Sequence, residues 1–268
     1  MTNKFSVYRR ISLAATAITL AGGALLGGAK PAQAGPSGLS YYPSTDIYPK
    51  GNIHFDADYF ASVNGKSSSF QTTGFEYGLG PERDGLFGRT EIGLDYLTSA
   101  SGLNHGDRLF FNVKTQLFND SKSGTRATLG AYGVGSRDVG ASNYVSLLGS
   151  KAFSFGRITA GVAYALRDDF VDKKTSFQLG YDKALNDKFI LAVDYQTGKS
   201  QAFSPGIIYL INDKAGVQLS YVRGGSAFTD RNQFYFGFDY NFGKVYAAPT
   251  SPEAPAGAAG SGGGGGGG

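Results

Sequence analysis

From Gly51 onward the chain alternates between apolar and polar positions. Ile53, Phe55, Ala57 and Tyr59 are interleaved with His54, Asp56, Asp58 and Phe60, the period-2 pattern of a sheet with one apolar and one polar face. The pattern recurs around residues 75–79, 92–96, 109–117, 127–131, 145–147, 158–166, 177–181, 189–195, 207–211, 217–221 and 234–242, which predicts twelve strands. Pro205 falls near the start of the tenth, where a missing backbone donor is tolerated. Asn119-Asp120-Ser121, Ser154-Phe155-Gly156, Asn186-Asp187-Lys188 and Asn212-Asp213-Lys214 are tight-turn sequences. The connections between them (99–106, 135–141, 167–173, 223–230) are longer and polar, with Gly80 to Gly88 a long exception on the tight-turn side.

Short turns at one rim, longer loops at the other and an even strand count predict an all-β fold. The expected architecture is a single closed antiparallel transmembrane β-barrel of about 12 strands. Strands of about 10 residues, rising ~3.3 Å each and tilted ~40°, span roughly 25 Å, the height of a lipid-facing apolar band. A soluble sandwich needs only shorter strands and must hide its apolar faces against a second sheet. Charge fixes the register, because a one-residue slip would turn Asp194 or Asp239 toward lipid. Tyr59, Tyr96, Tyr164, Tyr181, Tyr195, Tyr221 and Tyr240 fall toward strand ends, where a ring buries its body and wets its hydroxyl.

The final strand puts an aromatic at every second position: Phe234, Phe236, Phe238, Tyr240 and Phe242. Over roughly residues 51–242 the chain resembles bacterial outer-membrane β-barrel proteins as a class. The resemblance implies an outer-membrane location in a Gram-negative-type bacterium, with lipid around the barrel. It also implies that these five aromatics serve as the signal read by the barrel-assembly machinery.

Composition adds the ends. Lys4, Arg9 and Arg10 precede an apolar run from Ile11 to Leu26 and an Ala32-Gln33-Ala34 cleavage pattern, so residues 1–34 are expected to be an export signal. Of the 25 Lys+Arg, four (Lys4, Arg9, Arg10, Lys30) leave with it, and the remaining 21 match the 21 Asp+Glu. A neutral mature chain has no electrostatic basis for binding nucleic acid. With no cysteine, a closed sheet has to hold the exported fold without disulfides. Residues 35–50 carry three prolines and no period, a lead-in that either threads the lumen or simply leads to the first strand. Residues 243–268, rich in Pro, Ala and Gly, are expected to form a disordered tail.

Chemistry is sparse. Neither of the two histidines, His54 and His105, has a serine at His-x-Ser spacing, so no catalytic residue is expected. His54, Asp56 and Asp58 share one strand face, but with no further cluster they read as solvated lumen charges; no metal or cofactor is expected. The inward set is more informative. Asp56, Asp58, Glu76, Glu91, Asp95 and Asp239 form an acidic wall over strands that are neighbours in a closed barrel. Arg108, Lys114, Arg126 and Arg157 form a basic wall opposite. Inward Gly93, Gly130, Gly161, Gly180, Gly216 and Gly237 suggest free space. The expected function is a porin-like channel passing small hydrophilic solutes or ions passively through a charged lumen. Alternatives are a non-conducting structural barrel whose tail reaches the periplasm and, third, a lipid-modifying barrel enzyme.

Overall fold

The computed structural model describes residues 38–64, 70–98, 108–135, 143–166, 174–198, 202–226 and 231–243. The expected signal peptide, the tail beyond Gly243 and His105 lie outside the described residues. Thirteen strands follow in order: β1 Ile53–Ser62, β2 Phe70–Leu79, β3 Gly85–Leu86, β4 Thr90–Leu97, β5 Leu109–Asp120, β6 Thr125–Gly135, β7 Tyr144–Phe153, β8 Gly156–Ala165, β9 Thr175–Ala184, β10 Phe189–Gln196, β11 Ala202–Leu210, β12 Ala215–Gly224 and β13 Asn232–Asn241. Each long strand pairs antiparallel with the next. The ring closes where β1 meets β13, His54 opposite Asn241 through Ser62 opposite Gln233. Twelve long strands thus form one closed barrel, as the alternation predicts.

Side-chain direction follows the alternation. Phe75, Ile92, Phe111, Leu147, Leu179, Leu219 and Phe236 are exposed on the outer face. Phe177 is 65% exposed and Leu219 58%, so among the described residues no second protein layer covers this surface, and an apolar band of this kind is stable only against lipid. The tight turns form for the reason read from their sequence. The side-chain carbonyls of Asn186 and Asn212 each accept two backbone N–H groups just beyond them, Lys188 and Phe189, and Lys214 and Ala215.

Two local features depart from the sequence reading. The connection from Gly80 to Gly88 contains β3, whose Gly85 and Leu86 pair with Asn119 and Phe118 on the edge of β5 that β4 also uses. Asp84 fixes it there: the Ser121 hydroxyl and backbone N–H donate to its carboxylate at 2.7 and 3.0 Å and hold it below its ordinary pKa. Pro205 sits inside β11 rather than near its start. It pairs with Val193 on one side, while the ladder to β12 passes from Phe203 directly to Gly206, so the missing donor falls in a gap.

Candidate functional site in the barrel lumen

The lumen contains a segment of its own chain. Leu39, Ser40, Tyr42, Ser44, Thr45, Asp46, Ile47 and Tyr48 are all buried. Of the two readings of the lead-in, threading is the one observed. A tight hairpin, closed by Leu39 N–H to Tyr42 C=O at 2.7 Å, lies toward the long-loop rim. There Tyr42 packs with Phe60, Ala202 and Val222. The chain then descends past Asp46 and Tyr48 to Asn52 at the short-turn rim, where β1 begins.

Three carboxylates hold this thread. Asp194 accepts the backbone N–H groups of Ser40, Tyr41 and Tyr42 on one oxygen, at 2.9, 2.6 and 2.9 Å. A buried carboxylate thereby satisfies three donors that a buried hairpin would otherwise leave orphaned. Ser40 adds bonds to Ser204 and Ser220, both at 2.8 Å. Lower down, Asp46 receives two bonds from Arg157, 2.7 and 2.6 Å, and one from Arg126 at 2.5 Å. Near the short-turn rim Glu91, from the wall, accepts Tyr48 N–H at 3.1 Å.

This arrangement corrects the two-wall reading. Lys114, Arg126 and Arg157 do point inward, but they do not stand opposite the acids across open water. Arg126 and Arg157 close on Asp46, Arg157 also pairs with Asp182 at 2.9 Å, and Lys114 lies 3.6 Å from Glu91. Arg108 lies just ahead of β5 at the long-loop rim, not on a strand. The glycines are also corrected. A side chain at Gly180 would collide with Leu39 of the thread, and at Gly130 or Gly237 with the Tyr132 or Tyr235 rings. At these three positions the absent side chains make room for neighbours, whereas a Cβ at Gly216 would meet only ordinary contacts.

The remaining acids form a wall with its own geometry. Asp239, Asp56, Gly74 and Asp95 stand directly opposite one another across β13, β1, β2 and β4. Gly74 is small for a visible reason: a Cβ there would strike the carboxylate oxygens of both Asp56 and Asp95, which converge over it. Asp58 accepts from Tyr235 at 2.6 Å, Asp95 from Asn112 at 2.6 Å, and Asp239 lies 3.2 Å from His54. Among the described residues no lysine or arginine pairs with Asp56, Asp58, Glu76 or Asp95, and all four keep partial exposure with the thread in place.

Sequence reasoning missed Asp46 and Asp182. Asp182 was within reach, because it continues the alternation of Ser176, Gln178 and Gly180 on the inner face of β9. Asp46 was not, because its partners lie 80 and 111 residues away and its segment has no period.

Closure into a ring and an exposed apolar exterior decide the class. The chain is a transmembrane β-barrel protein. No protein-family model matches its sequence, and no curated protein does. Among solved structures this barrel is similar to an outer membrane channel from Pseudomonas putida F1, at 13% identity and TM-score 0.43 over 80% of this chain and 100% of that one. It is also similar to outer membrane phospholipase A from Escherichia coli, at 11% and 0.41 over 76% and 95%. A third likeness is to outer membrane protein Omp33 of Acinetobacter baumannii, at 9% and 0.38 over 72% and 97%.

Proposed function

We propose that this barrel is a narrow outer-membrane channel that passes small cations and cationic hydrophilic solutes between its acidic wall and its internal thread. The observation that carries the reading is the state of Asp56, Asp58, Glu76 and Asp95: clustered, partly exposed and, among the described residues, without a basic partner. Two like charges about 4 Å apart repel by about 4 kcal/mol at an effective dielectric of ~20 and by only about 1 kcal/mol in water. Such a wall is tolerable where water and mobile cations reach it, and it then concentrates cations along the path.

A single-channel recording in planar bilayers tests this. Small conductance steps with cations favoured over anions are expected. D56N, D58N and D95N together should lower that preference severalfold while leaving the barrel folded. Anion preference, or ion selectivity unchanged in the triple variant, would sink the reading.

The thread gives a specific reason for a second reading, a non-conducting structural barrel. Its polar groups are matched one by one to the wall, as in a packed interior. On that reading the same recording stays silent for the wild type. Catalysis has no part in either reading. A phospholipid hydrolysis assay on the purified protein checks that, with no turnover expected.

A further inference from the structure

We propose that His54, Asp56 and Glu76, with Asp239 beside the ring, form a binding site for one divalent cation of the Mn2+ kind. This names an ion for the acidic wall and so rests on the cation-passage reading, though direct binding can be measured without any conduction. The sequence reading saw only β1 and left out Glu76 and Asp239, which the register brings alongside His54 and Asp56 from β2 and β13.

A chain of hydrogen bonds fixes one proton of His54. Gly243 N–H donates to Asn52 Oδ1 at 3.0 Å, so the other end of that amide is Nδ2, and it donates to Asn241 at 3.0 Å. The Asn241 atom that receives it is therefore the oxygen. His54 Nδ1 lies 3.1 Å from the same oxygen, which obliges Nδ1 to carry the hydrogen. The other ring nitrogen, Nε2, lies 3.2 Å from Asp239 Oδ1. A ring nitrogen and a carboxylate oxygen that close are held by a proton between them or by a metal cation beside both.

Charge around the pair points the same way. One ring nitrogen of His54 and one carboxylate oxygen each of Asp56 and Glu76 lie within 4.8 Å of one another. Glu76 Oε2 is shut off from solvent and accepts no hydrogen bond, and Asp95 Oδ1, converging on Asp56 over Gly74, is in the same state. Ligands at about 2.1 Å from a six-coordinate ion are about 3 Å apart when adjacent and about 4.2 Å apart when opposite. The 3.2 Å separation of Nε2 and Asp239 suits an adjacent pair, and Asp56 and Glu76 would close in on an ion bound beside the ring. Carboxylates in the majority with one imidazole favour Mn2+ over soft metals. The Nδ1–H bond to Asn241 would orient the ring as outer partners of ligating histidines do. Tyr48 of the thread stacks on the ring at 4.4 Å, which would shield the site on that side.

The experiment is a Mn2+ titration of the full-length protein in detergent, followed by electron paramagnetic resonance and calorimetry. One bound Mn2+ per chain is expected. E76Q and D56N should each weaken binding by at least about tenfold, whereas D84N at the rim should bind as the wild type does. Circular dichroism establishes that each variant keeps its β-barrel. A folded wild type that binds no Mn2+ at millimolar concentration would overturn the site and leave the cation in question as a proton on His54. Equal binding by E76Q and D56N would overturn it as well. Failure of the channel reading looks different, namely Mn2+ bound in detergent and no current in bilayers.

Discussion

At the scale of single residues, Asp194 is the most economical fixture in the molecule. One carboxylate oxygen serves three consecutive backbone N–H groups from a segment more than 150 positions away. Asp194→Ala leaves those donors unmatched, at about 1–3 kcal/mol for each buried one, and the hairpin should loosen while the strands remain paired. A cysteine in place of Ser40 reads this out. Its labelling by a water-soluble maleimide should be at least about a hundredfold faster in the Asp194→Ala background, since three such donors sum to at least about 3 kcal/mol and each 1.4 kcal/mol is a factor of ten. Unchanged labelling would mean that the serine contacts and the Tyr42 cage hold the hairpin without Asp194. The inward position of Asp194 was legible from alternation alone. Its partner was not, because residues 35–50 offer no periodicity from which a contact could be read.

At the scale of elements, the strands are the legible part. Period-2 alternation places Leu147 outward and Ser146 and Leu148 inward on β7, and the structure agrees: Leu147 is exposed and both neighbours are buried. Leu147→Arg should therefore destabilise the barrel by about 2–4 kcal/mol if its side chain sits near the bilayer midplane. Urea unfolding of the lipid-reconstituted protein measures this, and a cost under about 0.5 kcal/mol would contradict lipid contact there. Elements that depend on a neighbour's edge were less legible. The two residues of β3 carry no pattern, and their pairing follows from the Asp84 fixture to Ser121 and Asn119 rather than from their own side chains. The basic residues were legible in direction and not in partner, since Arg126 and Arg157 are matched by an acid that lies on no strand.

At the scale of the whole molecule, the barrel is a sheet wrapped around its own leading segment. Removing residues 38–50 should leave the twelve long strands paired, since each ladder closes through backbone bonds to its neighbours. Current through the shortened protein should exceed that of the wild type severalfold. No rise would mean that neighbouring side chains such as Tyr132 and Tyr235 obstruct the bore unaided. The peptide leaves the interior at Asn52, which bonds to Asn241 and Gly243 just where the last stave meets the first. Filling and sealing are therefore parts of a single event, since a ring zipped shut beforehand would have to admit a folded-back hairpin through an already narrow mouth. Shortened barrels supplied afterwards with a synthetic peptide of residues 38–50 should accordingly regain the wild-type current far more slowly than barrels refolded in its presence.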